Sequence, residues 1–410
     1  MIDILKATDR CVMCGMCLPH CPTYGKNRNE ADSPRGRIAL IQALSSGGLP
    51  TSDALVSHLD GCLGCRACEV VCPASVPYGE IIDAARAKLR RERTRHIDLT
   101  QTLTDVIIKR RWSRRVLYWL LLAYQRFGIQ KIMRSSGVLK FAGLERVESL
   151  LPEFERATKP QARKQVGNVQ PKVALFTGCV AENLDRTTLA ASQCLLTRLG
   201  YDVHVPSRQT CCGALYQHDG IPGKALGLMK RNVDAFDEYG VDTVISTATG
   251  CGAQLAEYPK YLDGDAPRHF AQRHKDICQF LAEHGWSQDF QFKPLAAKVA
   301  LHTPCSLNYV LKQAQHTLKL LARIPDIELF ELHDNARCCG AAGSYMLRQP
   351  QMADELLTDK IEDLKIAQPA MLVTSNIGCA LHITAGLRRA GLKIRVVHPV
   401  VLLNEQLMDG

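Results

Sequence analysis

The first thirty residues of this 410-residue chain hold no apolar stretch of the kind that opens a secretory leader, since MIDILKATDR is short and charged. The expectation is a cytoplasmic chain in a compartment that keeps thiols reduced. The apolar core of RRWSRRVLYWLLLAYQRFG at 110–128 runs only from Val116 to Ala123. A membrane span needs about 20 apolar residues, so none is expected here. No G-x-G-x-x-G follows an expected strand, and GKALGL at 223–228 does not supply that fingerprint. A dinucleotide or flavin site of that kind is therefore not expected in this chain. Residues 90–170 lack cysteine altogether, although the whole chain carries 18. The thiols are gathered rather than scattered.

Length and composition set the frame. A chain of 410 residues that is 46% hydrophobic exceeds one small core and implies two or three domains. The formal charge of +10 raises the question of an anionic partner. Each metal-bound thiolate subtracts from that count, so the reading is a solvated basic surface and no nucleic acid. In a reducing compartment, clustered cysteines point to metal rather than to disulfides.

Two runs carry the strongest signal. CVMCGMCLPHCP holds Cys11, Cys14, Cys17 and Cys21, and CLGCRACEVVCP holds Cys62, Cys65, Cys68 and Cys72. Both read C-x2-C-x2-C-x3-C-P, the bacterial ferredoxin spacing, in which the fourth cysteine ligates the other cluster. Cys11, Cys14, Cys17 and Cys72 are thus assigned to one [4Fe–4S] cluster. Cys62, Cys65, Cys68 and Cys21 are assigned to a second. Gly15 and Gly64 suit the tight loops, where backbone amides approach the cluster sulfides. Structural zinc is the competing reading, but zinc sites usually set two separated cysteine pairs. Between the runs, DSPRGRIALIQAL reads as a loop opening an amphipathic helix, so the spacer is helical.

Beyond residue 170 the chain repeats itself. KVALFTGC from Lys172 answers KVALHTPC from Lys298, TCCGA at 210–214 answers RCCGA at 337–341, and TATGC ending at Cys251 answers SNIGC ending at Cys379. Such self-similarity implies two related domains. Each copy alternates strand and helix: VALF, a helix closed by Gly200, DVHVP, a helix from 223 to 240 and DTVIST in the first; VALH, a helix through 309–323, IELFEL, a helix through 350–366 and AMLVTS in the second. This predicts parallel sheets with helices outside. The cysteines follow strand C-terminal ends, where open parallel sheets gather ligands. Cys179, Cys211, Cys212 and Cys251 are expected to converge, as are Cys305, Cys338, Cys339 and Cys379. Adjacent cysteines straddle a large cluster more readily than one tetrahedral zinc, so a further iron–sulfur cluster is expected in these copies. Two zinc sites or a vicinal redox disulfide are the alternatives. Cys194 and Cys278 fall in helical patterns and read as plain buried thiols. Lone histidines such as His302 and His333 read as ordinary polar residues that could tune a cluster.

These features together resemble the iron–sulfur subunit of glycolate oxidase. The resemblance rests on the two ferredoxin motifs, CPTY at 21–24, SPRGRI at 33–38 and the two CCGA segments with their downstream GC. It covers nearly the whole chain. The same "CCG" domain occurs in heterodisulfide reductase, in anaerobic glycerol-3-phosphate dehydrogenase and in lactate-oxidising complexes. The resemblance implies an α+β multidomain chain: an α-helical ferredoxin domain at 1–92, a helical linker at 93–170, and α/β CCG domains at 171–290 and 291–410. It also implies a non-flavin electron-transfer subunit of an oxidoreductase complex, with no catalytic residue of its own. A separate FAD-containing dehydrogenase oxidises a 2-hydroxy acid, and electrons leave one at a time toward a quinone or other acceptor. One departure matters. Heterodisulfide reductase ends each copy in C-x2-C, whereas Gln254 and His382 stand in the fifth position here. That argues for four-thiolate clusters, with His382 as a candidate neighbour, and against disulfide-reducing chemistry.

The arginines and aromatic residues at 110–128 fit a helix lying on anionic lipid at the inner face of the membrane. The favoured reading is a helix whose aromatic side is buried against another domain or a partner. TKPQARKQVGNVQ at 158–170 reads as an exposed connector. Two other functions compete with an electron-transfer subunit: a reductase whose CCG site acts on the acceptor directly, as in heterodisulfide-reductase-like, D-lactate or glycerol-3-phosphate dehydrogenase subunits, and a zinc scaffold without iron.

Overall fold

The computed structural model of the protein describes residues 2–92, 105, 111–141, 143–154, 171–284, 286 and 290–408. The connector expected at 158–170 lies outside the described residues, as does most of 93–110.

The N-terminal part is built of short helices around two cysteine loops. Helix Pro34–Ser45 starts where Ser33 Oγ accepts from the Gly36 amide at 2.9 Å, with Pro34 preset for the first turn. Gly36 has no alternative there, because a Cβ would stand 1.9 Å from the Glu30 carbonyl oxygen. This helix buries Ile38, Ile41 and Leu44 against Leu59 of helix Asp53–Asp60 and Ile81 and Ile82 of helix Tyr78–Glu92. Cys62 and Cys68 belong to the same core. The ferredoxin-type runs are thus pinned between helices, as the spacer sequence predicts.

Each repeat forms a four-stranded, wholly parallel sheet. In the first, β1 (Lys172–Phe176), β2 (Asp202–His204), β3 (Thr243–Ser246) and β4 (His274–Asp276) run in the order β2-β1-β3-β4. In the second, β5 (Ala297–His302), β6 (Ile327–Glu331), β7 (Met371–Thr374) and β8 (Arg395–Val397) run β6-β5-β7-β8. The α+β architecture with two parallel-sheet CCG copies stands as expected. The edge strands β4 and β8 are additions, since three residues each are too few for a legible period. The helix expected over 309–323 is broken. A π-helical turn at Ser306–Leu311 ends on Lys312 at φ 57°, and the α-helix resumes at Ala314–Leu321. Ser306 Oγ donates to Thr249 Oγ1 of the first copy at 2.9 Å, which holds the wide turn against its counterpart.

The two sheets share one core. Val173, Leu175 and Ile245 pack with Val299, Leu301 and Val373 and with the C-terminal residues Val400, Leu402 and Leu403. The last helix of each copy packs on the first long helix of the other: Pro399–Gln406 on Arg186–Arg198, and Ile277–Glu283 on Ala314–Leu321. Residues 171–290 and 291–410 are therefore repeats in sequence that complete each other's cores in space.

The ferredoxin part docks on both copies. Arg66 pairs with Glu257, and His218 Nδ1 lies 3.1 Å from the Asp83 carboxylate on the first copy. Lys26 pairs with Asp359 at 2.7 Å, and Tyr345 Oη donates to the Gly61 carbonyl at 3.1 Å on the second. Leu63 sits inside the second copy's own core. In the linker, helix Arg111–Arg126 buries Tyr118 edge-on against Phe154, and Arg114 pairs with Glu182 at 2.8 Å. Trp112, Trp119, Leu120 and Phe127 stay exposed. Of the aromatic side expected to be buried against another domain or a partner, this chain itself covers Tyr118 and part of Tyr124. Among the described residues no helix is long and apolar enough to cross a membrane.

Candidate metal centres

In the ferredoxin part the cysteines surround two neighbouring cavities. Cys11, Cys14, Cys17 and Cys72 line the first, with Cys68 on the shared wall. Cys21, Cys62, Cys65 and Cys68 line the second. Pro34 and Tyr78 border both. Gly15 at φ 84° and Gly64 at φ 64° turn the two loops. The first loop faces outward: Cys14 is exposed, as are Val12, Met13 and Met16 beside it.

The second cavity is electrostatically asymmetric. Burial raises the thiols of Cys65 and Cys68 well above the usual thiol range. Burial would raise Cys62 as well, but the Arg37 and Arg86 guanidinium groups hold it below that range. The Gly64 N–H, 3.4 Å from Sγ, and the Tyr78 hydroxyl, 3.5 Å away, add to this. Arg37 is almost wholly buried and donates to Thr23 Oγ1 at 3.1 Å, to the His58 carbonyl at 2.7 Å and to Asp32 at 3.3 Å. Sequence reading missed Arg37 and Tyr78, because only the packing of the 34–45 and 78–92 helices brings them to Cys62.

Each CCG copy brings its four cysteines to the C-terminal edge of its sheet. In the first, Cys179 Sγ lies 3.4 Å from Cys211 Sγ, and Cys212 faces Cys251. Contact with Cys211, then burial, raises Cys179, which the Arg114 cation partly offsets. In the second, Cys305 faces Cys338, Cys339 faces Cys379, and Asn376 Nδ2 donates to Cys379 Sγ at 3.3 Å. The glycine after each cysteine pair is obligatory. Gly213 and Gly340 adopt φ 93° and 88°, and a Cβ on Gly340 would stand 2.5 Å from the Ala353 carbonyl oxygen, against 3.2 Å from that of Ala225 for Gly213. Gly340→Ala is therefore expected to cost at least about 1–2 kcal/mol from left-handed backbone alone, and more than Gly213→Ala. Denaturant midpoints of the two variants check the ranking; equal midpoints would refute it.

His382 does not join the thiols as expected of it. It is buried with Nε2 3.2 Å from the Ala353 carbonyl. The imidazole that reaches the second site is His302, which with Cys339 and Cys379 brings one ligand atom per residue to within 4.8 Å of one another. Burial, with Lys360 nearby, pulls its pKa down to about 3, so the ring is neutral. The signal lay in the repeat itself, where VALHTPC replaces VALFTGC. Cys278 is buried as expected, whereas Cys194 is half-buried.

All these donor sets fit iron–sulfur clusters. The ligands are soft and crowded, and thiols this close cannot ionise together without a cation among them. The two copies do not lie equally near the ferredoxin part. Cys305 is close enough to Cys65 to raise its thiol further, and Cys65 in turn raises that of Cys338; Leu63 and Cys65 pack with the second copy's cysteines.

Comparison with known proteins agrees with this layout. The profile of a 4Fe-4S dicluster domain matches residues 7–76, that of a cysteine-rich domain matches 173–256 and 299–384, and that of the linker region of a glycolate oxidase iron-sulfur subunit matches 101–151. A probable glycolate oxidase iron-sulfur subunit of Bacillus subtilis (strain 168) is 34% identical over 416 residues, covering 96% of this chain and 93% of that protein. The glycolate oxidase iron-sulfur subunit of Escherichia coli (strain K12) is 32% identical over 404 residues, covering 93% and 90%. Lactate utilization protein A of Geobacillus sp. (strain WCH70) is 28% identical over 240 residues, 57% of this chain and all of that protein.

Proposed function

The chain belongs to the family of glycolate oxidase iron–sulfur subunits, and from that premise we propose that it carries electrons from a flavin-bearing partner toward a quinone. The partner would oxidise a 2-hydroxy acid such as glycolate to the 2-oxo acid, releasing two protons and two electrons. Bound clusters would supply one-electron steps, which match a two-electron flavin to a distant acceptor. Cys11, Cys14, Cys17 and Cys72 would hold one [4Fe–4S] cluster and Cys62, Cys65, Cys68 and Cys21 the other. At least one CCG copy would hold a third group.

One observation carries the reading: the cysteine sites form a graded line. The first loop is open to a partner at Val12, Met13 and Met16. The second is more buried, at Cys21, Cys62 and Cys68, and its Cys65 lies beside Cys305 and Cys338. Residues of this chain thus bring a surface site, a more buried site and the second CCG site next to one another.

The test is purification without oxygen, with associated proteins retained. Iron and sulfide should accompany the chain, and a flavoprotein should co-purify. The isolated chain should be brown yet fail to oxidise glycolate or lactate, while the complex should reduce a quinone analogue with one of them. Oxidation by the isolated chain would refute the division of labour.

The linker supports a place at the membrane surface. Arg115 and Arg126 lie on the same exposed helix as Trp112, Trp119 and Leu120. Such a helix lies in the headgroup region of anionic lipid. The chain is expected to sediment with vesicles containing phosphatidylglycerol and to be released by salt. Trp119→Glu should weaken this at least about tenfold, because one lost apolar anchor forfeits about 1.5–3 kcal/mol. Equal sedimentation of the variant would remove the helix as the anchor.

A further inference from the structure

We propose that His302 is a metal ligand of the second CCG site, which makes that site a mixed thiolate–imidazole centre unlike its all-thiolate counterpart in the first copy. The inference rests on the iron–sulfur reading above and goes beyond it.

The two copies provide an internal control. His302 ends β5, and the repeat places Phe176 at the same point of β1. Both are buried, at 1% and 2% exposure. The fold therefore accepts an apolar ring here, and nothing in the packing of the repeat asks for an imidazole. Burying a polar ring is costly unless both of its nitrogens find partners. Nδ1 lies 2.9 Å from the Thr374 hydroxyl. With Nδ1–H donating to that oxygen, Nε2 presents its lone pair, the tautomer that a metal-bound histidine uses. The potential partners are in place, since a ring nitrogen and the sulfurs of Cys339 and Cys379 form the ligand-like group within 4.8 Å.

A second difference has the same sense. Lys360 is 1% exposed and donates to the Asp334 carbonyl beside this site. The repeat puts the neutral Asn232 in its place, where Nδ2 donates to the Cys211 carbonyl at 2.9 Å. The imidazole adds an uncharged ligand to the four thiols that both copies carry, and the buried ammonium of Lys360 opposes the charge of those thiolates. A cation there stabilises the reduced form and raises the reduction potential of this centre. The higher-potential copy is thus the one that touches the ferredoxin part through Leu63 and Cys65. Electrons arriving there would come to rest in the second copy rather than the first.

The test uses the full chain, made without oxygen, with 15N-labelled histidine. Potentiometric titration followed by pulsed electron paramagnetic resonance should find a directly bound histidine nitrogen in the signal that reduces at the highest potential. In His302→Cys the iron content should hold, the nitrogen coupling should vanish and the midpoint should fall. His302→Phe, which copies the first repeat, should lose the coupling as well. A wild-type protein with iron in place but no bound-nitrogen coupling at any poised potential would overturn the assignment, and so would a coupling that survives in His302→Cys. Absence of iron from the chain altogether would instead defeat the electron-transfer reading on which the inference stands.

Discussion

Serine in place of Cys72 is expected to remove the same cluster as serine in place of Cys11, although 61 positions separate them in the chain. Each variant should lose about four irons, and the double variant should lose no more than either alone. Cys21→Ser should instead reproduce Cys62→Ser. The reason is geometric. Cys72 lines the cavity of Cys11, Cys14 and Cys17, while Cys21 lines that of Cys62 and Cys65. Iron and sulfide per chain, with the redox signal that disappears, distinguish the cases. Cys72→Ser matching Cys62→Ser would mean that each run serves its own cluster, and would sink the crossed assignment. Transfer from the flavin partner to the acceptor should fail in all four single variants, because the line of sites is broken wherever it is cut.

Arg37→Met should destabilise the protein by about 3 kcal/mol, the low end of the cost of stripping one member from a buried ion pair. Asp32 is mostly buried and would lose Arg37, but His58 Nδ1 remains 3.0 Å from it, which keeps the loss from being larger. Thr23 and the His58 carbonyl would also lose their donor. A second effect separates this from simple unfolding. Arg37 is the first of the two cations that hold the Cys62 thiol below its usual range against burial. Without it the Cys62 thiol should rise, and the potential of the group it ligates should fall. Arg37→Lys should restore most of the potential but not the stability, since an ammonium keeps the charge and loses the guanidinium fork. Stability measured by denaturant and midpoints measured by potentiometry read the two effects apart. Unchanged midpoints in the methionine variant would show that Arg37 is structural only.

Much of this protein was legible from local pattern. The ferredoxin runs declare themselves because cluster ligation imposes close spacing on a few residues, and the CCG repeat because duplication preserves strand, turn and cysteine in step. The strands around Cys179 and Cys305 followed from short apolar runs ahead of glycine or proline turns. Local reading failed where the deciding contact is distant. β4 and β8 are too short to show a period, and Lys312 interrupts a helix whose sequence looks continuous. His382 was preferred to His302 because it occupies the place of a missing cysteine, yet its ring turns to the Ala353 carbonyl.

By itself, then, the sequence determined which residues are thiols, how they are grouped and that two groups recur, because those properties depend on neighbours along the chain. Only the tertiary structure decided that the two CCG copies finish each other's cores, that the second abuts Cys65, and that the His302 ring meets Cys339 and Cys379. Each of those depends on helices and strands far apart in sequence packing to exclude water, and burial of that kind leaves no periodic mark on the residues that end up side by side.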